Sequence, residues 1–445
     1  MATFTYAPDW GASPELEPRV RSVQFGDGYE QRATNGLNPI LPTWKLQFTK
    51  RTQTEAQAIY SWMVANNAQV TAFDWAAPGE GVAAGELSGT GDGTRVTYSL
   101  VALSRPCTVV GTPAIYRTDW QGTYQLSSTA RTNRLPRSQD LSTGWSATAI
   151  TLSAATTAPD GTTSLQAIVE DATTGIHALT STGAAITTAT SYRISAFFKA
   201  REMTKVFLNC ANVGLPSTAI AIDLVAGTAV SAHGSPTDIE IRHIGGGVYW
   251  AAFRVVSIGG AGSVVFYTTT DGVWANRSHA GTAGNGVYAW GAMISAEGGS
   301  YIPTVATAVT VTDYSINSAG LVTLASTTNP AVGQALGNGT GAQVAFPITV
   351  PNASTPTVLA VYVNGVKKTL TTDYTVSGST ITFVVAPALG LLVTVDYTYV
   401  GGLGVGNTLT WTGSYTRKHV AKFGVPKPDG FNSWSITADF REVPL

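Results

Sequence analysis

The sequence has little charge. Asp, Glu, Lys and Arg make up 12% of its 445 residues, against about 25% in an average soluble protein, and the formal net charge is −1. A chain this close to neutral has no overall electrostatic attraction to nucleic acid or to an anionic membrane. It also lacks any run near about 18 consecutive apolar residues, so we expect no membrane-spanning helix. The first residues show no basic segment followed by an apolar run, and we expect no secretory signal.

Cysteines and catalytic motifs are scarce as well. Cys107 and Cys210 are too few for a disulfide framework and lie among apolar residues, so we expect buried thiols. The five histidines share no spacing typical of metal ligands, and no nucleophile-elbow, zinc-protease or phosphate-loop motif occurs. We therefore predict no enzyme, no catalytic residue, no metal ligand and no cofactor. Structural calcium is compatible with the sequence but is not indicated by it.

The carboxylates of the middle region leave one catalytic alternative open. A glycosidase needs two carboxyl groups at a fixed separation. The candidates are spread along the chain, which favours solvated surface groups over a catalytic pair: Asp140, Glu170, Asp171, Asp271 and Glu297.

The low charge is confined to the middle of the chain. Residues 1–80 and 416–445 hold 22 of the charged residues, about 20% of those segments, whereas the rest of the chain has about 9%. The middle is rich in Thr, Ser, Gly and Ala. The two composition steps predict one ordinary domain, built from both ends and split by a long insertion. Insertions succeed at exposed loop tips whose ends lie close together, and Ala76–Gly81 has the composition of such a tip.

The sequence of the two chain ends predicts a small α+β domain. Alternation in Arg19–Phe25, the turn Gly26–Gly28 and resumption at Tyr29 predict a hairpin. Thr52 and Glu55 form a capping-box pattern, with Ile59, Trp62 and Met63 on one face of the helix that follows. Further strands are expected at Thr43–Thr49, Val70–Trp75 and Trp434–Phe440.

The insertion contains an internal repeat. Thr312–Ile316 recurs as Thr372–Val376, and Gly337–Thr340 has its counterpart far upstream at Gly91–Thr94. The simplest account is nesting of small β-sandwich modules of six or seven strands. One module, over 88–126, 308–332 and 405–415, is interrupted twice. The interruptions are 128–306 and a complete second copy, 334–403.

Residues 128–306 are long enough for a jelly roll, and their strand signals are spaced as in a two-sheet sandwich. These signals lie at Ser164–Val169, Tyr192–Ala200, Lys205–Cys210, Ala219–Asp223, Ile239–His243, Val248–Ile258, Ser263–Thr269 and Gly286–Ala296. The fold class is therefore mainly β: a small α+β domain from both ends, carrying nested β sandwiches with one jelly roll.

The hairpin motif carries a family resemblance. Val23–Arg32, with the pattern FGDGYxQR, resembles the minor tail protein M family of lambda-like long-tailed phages. The resemblance covers both ends, about 110 residues. It implies a split-barrel-like domain and a ring, usually sixfold, between tail tube and central hub. Our own hypothesis is that the hairpin packs on a neighbouring subunit or on the hub, with these interface residues: Phe25, Asp27, Tyr29, Gln31 and Arg32.

The middle resembles the carbohydrate-binding jelly rolls of phage tail proteins, through Asn133–Asp140, Tyr192–Ala200 and Ser300–Thr304. A sugar site needs an exposed flat ring beside planar hydrogen-bonding groups. The candidates are Trp274 with Asp271, Asn276 and Arg277, and separately Trp145. A tryptophan that packs on the sandwich edge is the alternative for Trp274. Trp250 and Trp290 lie mid-strand and are predicted in the core.

The sequence thus predicts a structural protein of the virion, at the tail tip or baseplate. Its expected partners are copies of itself in a homohexameric ring, the tail tube protein, the hub or other minor tail proteins, and host-surface polysaccharide, but neither nucleic acid nor a membrane interior. A dedicated receptor-binding adhesin and a polysaccharide-degrading enzyme are the alternatives.

Overall fold

The computed structural model describes residues 2–18, 20–26, 28–34, 40–103, 105–162, 164–317, 320–351 and 353–443. The elements in the first part of the chain are β1 (Pro14–Pro18), β2 (Val20–Gln24), β3 (Glu30–Thr34), β4 (Ile40–Arg51), α1 (Gln53–Ala65), β5 (Phe73–Trp75), β6 (Val82–Thr90), β7 (Thr97–Ser99), β8 (Val101–Ala102), β9 (Arg105–Pro106), β10 (Thr108–Asp119) and β11 (Gly122–Gln125).

The middle contains β12 (Arg131–Asn133), β13 (Trp145–Thr148), β14 (Ile150–Thr156), β15 (Leu165–Glu170), β16 (Thr174–Ile176), β17 (Ala178–Ser181), β18 (Ala184–Ile186), β19 (Ser191–Ala200), β20 (Lys205–Ala211), β21 (Thr218–Asp223), β22 (Thr228–His233), β23 (Thr237–Gly245), β24 (Val248–Val256), β25 (Gly260–Thr268), a 3₁₀ turn (Trp274–Asn276), β26 (Ser278–Ala280) and β27 (Gly286–Ser295).

The remaining strands are β28 (Val309–Val311), β29 (Tyr314–Ile316), β30 (Leu321–Leu324), β31 (Thr327–Asn338), β32 (Ala345–Pro347), β33 (Thr357–Val363), β34 (Val366–Lys368), β35 (Tyr374–Ser377), β36 (Thr380–Phe383), β37 (Leu392–Gly401), β38 (Thr408–Phe423), β39 (Lys427–Gly430) and β40 (Ser433–Glu442). The β-rich, multi-module fold class is therefore confirmed.

The two ends of the chain share one sheet, which we call the outer unit. Its strands run in the order β1-β4-β40-β38, with β5 also paired to β38. Helix α1 packs on β40 and β4. The Thr52 hydroxyl accepts from the Glu55 N–H and the Glu55 carboxylate accepts from the Thr52 N–H, so the predicted capping box is confirmed. Ile59 and Met63 are buried in the aromatic core between helix and sheet.

Strand β38 continues from the outer unit into the insertion. Its C-terminal half pairs with β40 and β5, and its N-terminal half pairs with β6 and β10. The insertion leaves and returns at neighbouring points, since the Tyr415 N–H donates to the Gly81 carbonyl at 2.9 Å. The domain limits stay predictions, and three of them fall inside continuous strands: residue 88 in β6, 415/416 in β38 and 332/334 in β31.

Two small β sandwiches in the insertion have the same strand order. In the split module, β6-β38-β10-β11 faces β29-β30-β7. In the second module, β31-β37-β33-β34 faces β35-β36-β32. The equivalent strands come in the same order along the chain, so the observed pairing follows the sequence repeat. Each sandwich has a hydrophobic core of its own.

The middle region, which we call the large sandwich, has two antiparallel sheets. They run β13-β17-β25-β20-β21-β22 and β14-β15-β27-β19-β24-β23 around one large core. Trp250 and Trp290 are buried, as predicted, in a further cluster that includes Trp120 of the split module. Cys107 and Cys210 are free and buried, which confirms the expectation of unbridged thiols. Among the described residues, no helix has the length and apolarity needed to cross a membrane.

Candidate functional sites

The β2–β3 hairpin is an exposed arm with one apolar face. All described side chains from Arg21 to Ala33 are exposed. Val23 lies opposite Gln31 in the ladder, and the Phe25 N–H donates to the Tyr29 carbonyl at 2.8 Å. Because side chains alternate between faces, these four residues share one face. A two-stranded hairpin has little stability of its own in water, so an exposed apolar face on such an arm is suited to a partner surface.

The other predicted interface residues are placed differently. Arg32 lies on the opposite, polar face and pairs with Glu30 at 2.9 Å. Asp27 lies outside the described residues. The motif therefore contributes Phe25, Tyr29 and Gln31 to one surface, and Arg32 does not belong to it.

The Trp274 loop covers the outer face of one sheet of the large sandwich. Phe207 alternates with the core residues Val206 and Leu208, so its ring points away from the main core. The half-buried Trp274 indole packs edge-to-face on Phe207, with ring centroids 5.2 Å apart, and the Tyr267 ring contacts it at 5.4 Å. The Phe207 and Tyr267 rings, both nearly perpendicular to the indole, thus hold it in place.

The stacking positions on the same indole are partly taken by protein groups. The His233 ring lies parallel to it at 4.8 Å, and the Arg277 guanidinium lies over it, also at 4.8 Å. A sugar that stacked on Trp274 where either group lies would have to displace that group.

The polar groups of this loop are used within it. The Asp271 carboxylate accepts from the Asn276 amide at 2.7 Å and from the Val273 N–H at 2.8 Å. These hydrogen bonds, that from Asn276 first, lower the pKa of Asp271. Four of the predicted glycan-binding residues therefore lie together, but in a loop whose polar groups are already paired. Trp145 lies elsewhere, stacked on Phe266 at 5.2 Å with its indole N–H donating to the Arg137 carbonyl.

One carboxylate departs from the expected surface location. Glu170 is buried, and one of its carboxylate oxygens is 2.9 Å from His279 Nε2 while the other accepts from the Thr282 N–H at 3.2 Å. His177 lies beside them, with its ring centroid 4.8 Å from that of His279. The spacing argument missed this group because β16 pairs with β26 across about 100 residues of sequence.

A cavity of about 410 Å³ lies where the large sandwich meets the split module. Trp120 and Trp290 contribute to its wall, and the Gln139 amide donates to Asp160 at 2.9 Å. Burial raises the pKa of Asp160, and the Trp290 indole N–H has no hydrogen-bond partner in the described part of the chain. The cavity has the size and mixed lining of a small-ligand pocket. No pattern in the sequence indicated it, because its walls come from distant segments.

A buried ionic network joins the outer unit to the split module. Arg417 donates to Glu80 at 2.6 Å and to the Ala102 carbonyl at 2.7 Å. Arg105 pairs with Glu80 at 2.5 Å and also with Glu442. Burial raises the pKa of Glu442, and the positive charge of Arg105 offsets part of this rise. The network fixes the base of the insertion against the end of β40.

The fold places this chain in a class of proteins with one small α+β unit built from both chain ends. That unit has an exposed amphipathic hairpin and carries a large insertion of β sandwiches. Residues 2–87 match the model of the phage minor tail protein family. The chain is also similar to "Tail tip protein M" of Escherichia phage lambda, at 46% identity over 46 residues. That stretch covers 10% of this chain and 42% of the relative. The resemblance predicted from the hairpin motif is thus confirmed for the N-terminal segment.

Proposed function

We propose that this protein is a structural component of a phage tail, or of a phage-derived tail particle. The family match over residues 2–87 supports this role. The matched segment contains the exposed hairpin, helix α1 and most strands of the outer unit. The outer unit is therefore the assembly part of the chain, and the insertion is the displayed part.

We further infer that the outer unit self-associates into a ring between tail tube and hub at the tail tip, with a homohexamer as the expected state. The observation that carries this proposal is the amphipathic β2–β3 arm. Val23, Phe25 and Tyr29 are exposed by 56%, 47% and 63%, on one face of a hairpin that lacks a core. Packing that face on a neighbouring subunit or on the hub removes it from water and stabilises the arm.

The test is a charge placed on the arm. In Tyr29→Asp, a buried unpaired carboxylate would oppose the interface, while the isolated chain keeps its fold because the position is exposed. We expect unchanged circular dichroism and thermal unfolding, but loss of rings in negative-stain images and of the oligomer in light scattering.

The matched control is Val366→Asp, which places the same charge on an exposed apolar hairpin residue of the second module, 61% exposed. This variant should assemble normally. If Tyr29→Asp still formed rings, the hairpin would not be part of the interface. A wild-type chain that stays monomeric alone and with tail tube protein would overturn the ring itself.

We also propose that the insertion contacts host-surface glycan through the Trp274 loop. The support is an indole at the surface of the large sandwich, with planar Asn276 and Arg277 beside it. A sugar that replaced His233 or Arg277 on the indole would have to displace that group, so we expect each single site to be weak. Several copies in one ring raise the effective concentration enough to make weak sites useful.

Two further experiments distinguish the alternatives, one with the purified protein and one with tails whose subunits lack residues 128–306. A polysaccharide-degrading enzyme releases reducing ends from host polysaccharide, which a structural protein does not. A dedicated adhesin gives intact tails with lost adsorption when residues 128–306 are removed, whereas a ring component that needs the insertion for assembly gives no intact tails.

A further inference from the structure

The Glu170, His177 and His279 cluster has the composition of a metal site. One ligand atom from each of the three residues lies within 4.8 Å of the others. Four-coordinate zinc, with bonds of about 2.0–2.1 Å, holds its ligands about 3.4 Å apart, so the widest pair must close by somewhat over 1 Å. Imidazole and carboxylate are ligands that such a metal accepts.

His177 supplies a second observation. Its side chain is fully buried, and neither ring nitrogen has a hydrogen-bond partner among the residues that the structure describes. Buried polar atoms are nearly always paired, and a pair of orphaned imidazole nitrogens costs folding free energy unless something else satisfies them. His279 Nδ1 is also buried, and no described residue forms a hydrogen bond with it. The two imidazole rings, with centroids 4.8 Å apart, thus contain three nitrogens that no described group pairs with.

The backbone holds these rings close. A Cβ on Gly281 would lie 2.4 Å from His177 Nε2 and 2.2 Å from the Asp171 carbonyl oxygen, so only glycine permits this packing. The Asp171 carboxylate is 3.7 Å from His177 Nε2, too far for a hydrogen bond. Together with Glu170 it supplies the two negative charges that balance a divalent cation.

We propose that Glu170, His177 and His279 bind a divalent transition metal, with Zn²⁺ as the representative ion. The two imidazoles select against Ca²⁺ and Mg²⁺, which take oxygen ligands. Binding replaces the present contact of His279 Nε2 with Glu170 and ties the end of β15 to the strand β26. Because β26 follows directly after the Trp274 loop, the metal fixes the base of that loop.

The test uses the full chain without a histidine tag, after treatment with a chelator. Calorimetric titration with ZnCl₂ is expected to give one site per chain, not displaced by a large excess of CaCl₂. Glu170→Gln and His279→Gln should each weaken binding by more than the roughly 10–100-fold that loss of a supporting second-sphere group causes. His243→Gln, an exposed histidine on β23, is the matched control and should bind as the wild type does.

Hydrogen exchange gives a second measurement that a misfolded variant cannot imitate. Zn²⁺ should slow exchange of the amides in residues 278–285 in the wild type and in His243→Gln only. Circular dichroism of each variant without metal shows whether it is folded. The proposal would be overturned if the wild type did not bind Zn²⁺ stoichiometrically. It would also be overturned if folded His279→Gln and Glu170→Gln bound Zn²⁺ as tightly as the wild type.

Discussion

His419 should make the outer unit sensitive to mild acid. Its side chain is fully buried on β38, with Trp75 at 5.1 Å and Phe440 at 6.4 Å between ring centroids. The Nδ1–H group donates to the Arg417 carbonyl at 3.1 Å, and Nε2 has no hydrogen-bond partner within the described ranges. Burial lowers the pKa of His419 to about 4, from its ordinary value of 6.5. The folded state therefore holds a neutral imidazole.

The sign of the effect follows from proton uptake. Between about pH 6.5 and about pH 4 the unfolded chain binds a proton at this residue and the folded chain does not, so the free energy of unfolding falls as the pH falls. Two-state titration gives a loss of about 2 kcal/mol between about pH 7 and about pH 5, and about 3 kcal/mol by about pH 4. Glu442, directly opposite in the ladder, has a raised pKa and contributes the opposite slope.

The assay must report on the outer unit alone, because a chain of several modules need not unfold in one step. Urea unfolding is carried out at each pH and followed by a short hydrogen-exchange pulse at one fixed pH. Mass spectrometry of peptides from residues 408–423 and 433–442 then gives the unfolding midpoint of this unit. Comparison with His419→Gln cancels the contribution of Glu442. Between about pH 7 and about pH 5, the free energy of unfolding should fall by about 2 kcal/mol less in the variant than in the wild type. An equal slope in both proteins would refute the reasoning.

Two further substitutions test the network and the loop. Glu80→Gln removes a carboxylate partner of buried Arg417 and should cost the outer unit about 3–5 kcal/mol in the same urea assay, whereas Glu15→Gln, at an exposed ion pair, should cost under about 1 kcal/mol. If the two substitutions lowered the free energy of unfolding equally, the Arg417–Glu80 pair would be as accessible to water as the surface pair of Glu15. Trp274→Ala should weaken adsorption to purified host polysaccharide by roughly 2–10-fold per site, and the exposed Trp10→Ala should not. Unchanged adsorption of Trp274→Ala would show that this indole does not bind the polysaccharide.

Local patterns predicted most elements of the outer unit and the large sandwich. The capping box at Thr52 and Glu55 is a short-range pattern, and its helix begins where expected. The eight strands predicted between residues 164 and 296 are all present, with ends shifted by a few residues. Alternation of apolar residues is fixed by the strand period, so it is readable without knowledge of the partner strand.

The sites depend on long-range register, which a single sequence does not reveal. His177 and His279 meet only because β16 pairs with β26, and no spacing rule connects residues that far apart. Trp274 was a reasonable candidate for an exposed ring, but His233 on β22 reaches it from another part of the sheet. Glu170 was expected at the surface because a lone glutamate usually is, and burial beside a histidine overrides that preference.

The composition step near residue 415 marks a change of environment and not a break in structure. Strand β38 carries its backbone hydrogen bonds across that point, from Ser414 opposite Val82 to His419 opposite Phe73. The ionic network of Arg417 and Glu80 lies at the same junction. A flexible tether would let the insertion sample many directions, but a continuous strand with a buried ion network holds it in one orientation. In a ring, every copy would then present its sandwiches at the same angle, which is the arrangement in which weak contacts to a surface act together.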